Sequence, residues 1–208
     1  MQRKIIPVLL FSVLLSCGEA SKKTEKNQKN KETTTKEETK TLPSGNYTTL
    51  LVDYQCGMDA SEFAKTIGVS ESDVSVSDYQ KPNFCSFDLE GFGKNKLGDP
   101  TTILWEPTPS SKDQNKREIQ GALKNQEKYP EQAMQGIGIE LAETGDAYIF
   151  RQPHVGRVLI YNENYDNAFL ISYGVKSEAM TDRTEAQHQE LTQKMVILTN
   201  YLLKKHRK

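Results

Sequence analysis

Residues 147–174 read AYIFRQPHVGRVLIYNENYDNAFLISYG. Three runs within it, AYIFRQ, GRVLIYN and NAFLISYG, are dense in β-branched and aromatic residues, and the turn-prone PHV and ENYD separate them. Connections this short suit hairpins, so the stretch predicts an antiparallel meander of three strands.

Working outward, residues 184–205 place Leu191, Met195, Leu198 and Leu202 on one stripe, with Ile197 and Tyr201 beside it. That spacing predicts one long helix, and its terminal KKHRK suits the negative end of the helix dipole. Upstream, SSKDQNKREIQGALKNQEKYP (110–130) opens with good N-cap residues, carries Ile119, Ala122 and Leu123 on one face, and ends near Pro130. It reads as a polar, lightly anchored helix. TTILWEP (101–107) reads as a strand stopped by Pro107 and Pro109, with Trp105 in core or rim packing. DVSVSDY (73–79) and FCSFDLEG (84–91) alternate at period two, which puts Cys85 on the same side as Phe87 and Leu89.

In MDASEFAKTIG (58–68), Ala60, Phe63, Ala64 and Ile67 fall at i, i+3, i+4 and i+7. Asp59 or Ser61 can cap that short amphipathic helix and Gly68 can end it. The preceding YTTLLVDYQ (47–55) is β-branched and aromatic and reads as a strand. Strands and helices are grouped rather than alternating. The expected class is therefore α+β, an antiparallel sheet covered by helices, in a single globular domain over residues 47–208.

The N-terminus has a different character. Arg3 and Lys4 precede an apolar run from Ile5 to Leu15, broken by Pro7 and Ser12, and small residues flank Cys17. That is the layout of a signal peptide over residues 1–16. The run of about 11 residues falls short of the roughly 20 that a membrane-spanning helix needs. Residues 18–46 contain seven Lys, five Glu and six Thr, and apart from Ala20 and Leu42 no apolar side chain. Such a composition cannot offset the entropy of ordering, so residues 17–46 are expected to form a disordered tether with a reach on the order of 30 Å.

The stretch LLSC, Leu14 to Cys17, resembles the lipobox of bacterial lipoproteins. The resemblance implies cleavage before Cys17, acylation of that residue, and attachment to the membrane through several acyl chains, each adding about 0.8 kcal/mol per buried methylene. An ordinary signal peptide cut nearby, with Cys17 left as a thiol, is the competing reading. Residue 18 is Gly rather than Asp. The inner-membrane retention signal of enteric bacteria is thus missing, and the expected location is the outer membrane of a bacterial envelope.

Of three cysteines, Cys56 and Cys85 then remain as an even pair in an oxidising setting. A disulfide between them is the natural inference, and for a loop of about 29 residues the chain-entropy relation gives roughly 3.5 kcal/mol. The alternative, a reactive or metal-binding pair, finds no further ligands at useful spacing.

CGMDASEFAKTIG, then FCSFDLEG, then LAETGDAYIF before a hairpin and a terminal helix, resembles the DUF3558 lipoproteins, which share a fold with the Mog1 and PsbP proteins. Cys56, Cys85 to Phe87, and Gly145 to Tyr148 stand at that group's characteristic places, while Glu143 and Thr144 occupy positions where a second glycine is usual. The resemblance implies a Mog1/PsbP-like fold and an exported, non-catalytic habit.

Chemistry is sparse in the chain. There is no nucleophile elbow, no cofactor motif and no paired metal-ligand spacing. The three histidines, His154, His188 and His206, read as surface or capping residues. YNENYDNA (161–168) gathers oxygen ligands but lacks the EF-hand spacing and reads as a hairpin turn. Asp146 reads as a turn-stabilising Asx residue, and with His154 and Trp105 it completes the candidate ligand-facing positions. A net charge of −1 argues against a nucleic-acid partner. The expected function is a lipid-anchored binding module that holds a protein or envelope component through a sheet face or the groove beside the last helix. The alternative is an envelope hydrolase using Asp146 with His154.

Overall fold

The computed structural model describes residues 44–208. The expected signal peptide (1–16), Cys17 and tether residues 17–43 lie outside the described residues. Seven strands form one antiparallel sheet: β1 (Val74–Val76), β2 (Cys85–Lys94), β3 (Pro100–Pro109), β4 (Gly138–Leu141), β5 (Tyr148–Gln152), β6 (Arg157–Tyr161) and β7 (Asn167–Ser172), in the order β1-β2-β3-β7-β6-β5-β4. The predicted meander is β5, β6 and β7. Among the described residues five α-helices accompany the sheet: α1 (Thr48–Leu51), α2 (Ala60–Ile67), α3 (Lys112–Lys128), α4 (Glu131–Met134) and α5 (Glu185–His206). The domain is α+β, as its residues predict, with one long C-terminal helix.

The alternation of each strand decides which helices cover which face. Cys85, Phe87, Leu89, Ile103, Trp105 and Phe169 point to one side, where α1, α2 and the α5 stripe of Leu191, Met195, Leu198 and Leu202 bury them. Ile139, Leu159, Tyr161 and Ala168 point to the other, where Ile119, Ala122 and Leu123 of α3 close the face over β4 to β7. The caps of α2 and α3 are residues the sequence offers, and α5 adds a capping box of its own. The Asp59 side chain accepts from Glu62 N–H at 2.8 Å and Ser111 from Gln114 N–H at 3.1 Å, while Thr184 and Gln187 form a capping box.

Four expectations need correction. YTTLLVDYQ is not a strand: α1 occupies its middle, and the buried residues are Tyr47, Leu50, Leu51 and Tyr54. Those positions fall at i, i+3, i+4 and i+7, a helical period concealed by β-prone residue types. Nor do the prolines stop β3, which continues to Pro109. Beyond Trp105, which faces Cys85, β3 pairs only with β7, so Pro107 and Pro109 sit where one side has no ladder to break. Gly45 and Asn46, expected within the disordered tether, are hydrogen-bonded into the domain. His188 is buried rather than on the surface. The four-residue β4 and α4 lie in segments for which the sequence makes no prediction.

β4 forms an edge of the sheet, and neighbouring side chains and loops engage N–H groups in it and on either side of it. Ile139 donates to Gln126 Oε1 at 2.8 Å, and on either side of the strand Ile137 donates to the Gln132 carbonyl at 3.1 Å and Glu143 to Asn200 Oδ1 at 3.0 Å. An edge capped this way is a poor template for adding a further strand.

Cys56 and Cys85 form a disulfide, with Cα atoms 5.1 Å apart, joining the approach to α2 to the start of β2. Phe63, Phe87 and Trp105 pack against one another beside it with ring centroids 4.9–5.4 Å apart. Trp105 Nε1 donates to Tyr54 Oη at 2.6 Å. A bonded sulfur carries no proton, so the Tyr54 hydroxyl in turn donates to Cys85 Sγ at 3.3 Å. The chain's single tryptophan therefore stands opposite the disulfide in the strand register. Reduction, or the Cys56→Ser/Cys85→Ser double variant, should lower unfolding stability by about 3.5 kcal/mol in urea titration. It should also brighten native Trp105 fluorescence by removing a disulfide quencher.

Candidate functional site

The structure disperses the three candidate ligand-facing residues. Trp105 has no exposed surface and belongs to the core, so it faces no ligand. His154 is exposed in the turn after β5, whereas Asp146 precedes the same strand. Five extended residues at about 3.3 Å each hold the two apart by roughly 16 Å, so they form no acid–base pair.

Asp146 does more than stabilise its own turn. Its side chain is only 3 % exposed. It accepts from Gly45 N–H at 2.6 Å, from the Tyr47 hydroxyl at 2.5 Å and from Arg207 Nε at 3.1 Å. Burial works to raise this carboxyl, but the hydrogen bonds from Tyr47, the Gly45 amide and Arg207 outweigh it and hold it below the ordinary carboxylate range. The Tyr47 hydroxyl, buried and beside that carboxylate, is pushed up to about 12. Asp146 thus ties the beginning of the domain to the end of α5.

A second polar cluster lies beneath the N-terminal half of α5. Arg183, 6 % exposed, donates to the carbonyls of Phe92 (2.9 Å) and Gly174 (3.0 Å), to Thr101 Oγ1 (2.8 Å) and to His188 Nδ1 (3.2 Å). Gly93, at φ 86°, permits this approach, since a Cβ there would meet the Arg183 backbone at 2.7 Å. The guanidinium always donates, so His188 Nδ1 is an acceptor, and Nε2 carries the proton donated to the Pro153 carbonyl at 2.8 Å. His188 is a neutral strut with both nitrogens engaged, and burial followed by the nearby Arg183 charge lowers its pKa. No pattern in the TDRT segment announces this cluster, because Phe92 and Thr101, two of the four acceptors of Arg183, lie more than 80 residues away in the chain.

The YNENYDNA turn is likewise internally satisfied. Asn115 of α3 reaches into it, and its Nδ2 donates to the carbonyls of Asn162, Tyr165 and Asn167 at 2.9–3.2 Å. Among the described residues no group of three or more His, Cys, Asp or Glu is arranged to hold a metal ion, and no helix is long and apolar enough to cross a membrane.

What remains as a site is a groove of about 570 Å³ between α2 and α5. Val196, Ile197 and Tyr201 give it an apolar lining, and Ile197 is 52 % exposed. Glu62, Lys65 and Lys204 line it with charge. The groove exists because α5 carries apolar residues outside its buried stripe: Ile197 and Tyr201 sit on the flank that α2 does not fully cover. Tyr201 donates to Glu62 Oε1, which Lys205 also engages at 2.5 Å. The hydrogen bond to Glu62, assisted by burial, pushes the Tyr201 hydroxyl up to about 12. Partial burial works to raise Glu62, and the hydrogen bonds from Lys205 and Tyr201 outweigh it and lower its pKa. At neutral pH the phenol is protonated and the carboxylate ionised, an arrangement suited to polar contacts at a binding surface. A smaller cleft of about 260 Å³ lies beside the first turns of α5, against Arg151, Met134 and the committed His188.

The buried neutral histidine has a consequence for pH. The folded-state pKa of His188 lies below the unfolded value of about 6.5, so the unfolded chain takes up the proton first as pH falls. The His188 contribution to stability should be fully present above pH ~6.5 and decline below it, by up to about 1.4 kcal/mol per pH unit. Urea denaturation across pH 5–8 checks this, and His188→Gln should be less stable at pH 7.5 but show a shallower acid slope. No family model matches the chain, nor does any curated protein or solved structure.

Proposed function

We propose that the protein is a bacterial envelope lipoprotein, anchored through acylated Cys17 and located at the outer membrane, that presents a non-catalytic binding domain on a tether. The LLSC stretch, the short apolar run before it and the Lys/Glu/Thr-rich segment after it support the anchor and the tether. The wholly antiparallel sheet, the helices on its two faces and the long terminal helix support a Mog1/PsbP-like, DUF3558-type relationship.

The observation that carries the binding function is the α2–α5 groove, with its half-exposed Ile197 and partly buried Tyr201 bordered by charges of both signs. Its size suits one or two anchoring side chains of a protein or envelope component, the kind of apolar pocket with a polar rim that concentrates binding energy. A hydrolase built on Asp146 and His154 is not proposed, since those residues stand at opposite ends of β5.

Two measurements test the reading. Intact mass of the membrane-fraction protein should begin at Cys17 with acyl chains added, and an unacylated chain would refute the anchor. A photo-crosslinking residue at Ile197 should give a discrete adduct in intact cells, while the same residue at exposed Lys124 on α3 should not. Equal labelling at both positions, or none at Ile197, would refute the groove as the binding surface.

A further inference from the structure

Residues 44–47 form a strap pinned from three directions. Beyond the Asp146 contacts, Asn46 and Lys208 exchange backbone hydrogen bonds at 2.8 and 3.1 Å, and Tyr47 N–H donates to Tyr165 Oη at 2.6 Å. Gly45 lies so close to α5 that a Cβ there would meet Arg207 Cγ at 2.6 Å. The turn that seats the strap also forms a wall of the groove: Glu143, three residues before Asp146, lines it, pairs with Lys204 and donates its N–H to Asn200 Oδ1. Asn200 and Lys204 line the groove as well, and Arg207, the C-cap residue of α5, holds Asp146. One short turn, 143–146, therefore makes two ion pairs to the end of one helix, the first facing the groove and the second facing the strap.

We propose that residues 44–47 act as a releasable latch through which the chain preceding the domain sets the shape of the α2–α5 groove. With the latch closed, Asp146 and Arg207 hold the turn against α5 and so keep the Glu143–Lys204 wall in place. With the strap pulled away, Asp146 loses two of its three donors, and the turn and the last helical turns loosen together. The two arrangements of this turn are the bistable element that both sites bias. By linkage, a partner that favours the walled groove tightens the latch to the same degree.

The proposal rests on the groove as the binding surface, but its test needs no partner, so its failure is separable from a failed Ile197 crosslink. Hydrogen exchange is followed on the full-length protein in detergent micelles. Asp146→Asn should speed exchange at residues 45–47 roughly tenfold or more, and with it exchange at Glu143 and residues 200–204, while β2 and β3 keep their protection. Gly45→Ala, which crowds Arg207 without removing a charge, should give the same pattern. If Asp146→Asn also strips protection from β2 and β3, Gly45→Ala decides alone. A strap that loosens while Glu143 and residues 200–204 keep their parent rates overturns the proposal, as does a strap that neither variant loosens.

Discussion

The pairing of β3 with β7, from Leu104 opposite Ser172 to Pro109 opposite Asn167, is the contact on which the rest of the domain depends. On one side of it lies the β1-β2-β3 meander and on the other β7-β6-β5-β4. Each meander is local in sequence, but neither alone presents enough apolar surface to bury a 22-residue helix. Joined through β3 and β7, they make a platform on which α5 lies across both. Its Leu191, Met195, Leu198 and Leu202 pack into one cluster with side chains from both meanders.

That platform explains where the polar groups settle. Asp146, Arg183, His188 and Asn115 are all drawn into the structure, and each is satisfied by partners from distant segments. A buried charge is tolerated only with such partners. The groups left at the surface groove, Glu62, Tyr201 and Lys204, are bonded to one another or to neighbouring charges. The domain has thus drawn these polar groups into its architecture, and Ile197 on the α5 flank is among the apolar side chains it leaves exposed.

The same flank is mechanically close to the root of the chain. α5 ends beside the strap at Asn46, and the 143–146 turn touches both. Anything that acts on residues 44–47 acts on the end of the helix that forms the groove.

Local patterns carried most of the fold. The period-two runs of β1 and β2, the β-rich runs of β3 and β5 to β7, the apolar stripes of α2, α3 and α5, and the N-cap residues Asp59 and Ser111 are each set by neighbours in the chain, so they were legible from sequence. The even pair Cys56 and Cys85 was legible for the same reason, through counting and chemistry. Where local signals conflicted, packing decided: Tyr47 to Tyr54 had β-prone residue types and a helical burial period, and the sheet face selected the helix. The roles of Asp146, Arg183 and His188, and the groove around Ile197, belong to the tertiary structure alone. Their partners lie between five and more than one hundred residues away, and no one-dimensional pattern encodes which carbonyl, amide or helix flank will meet them.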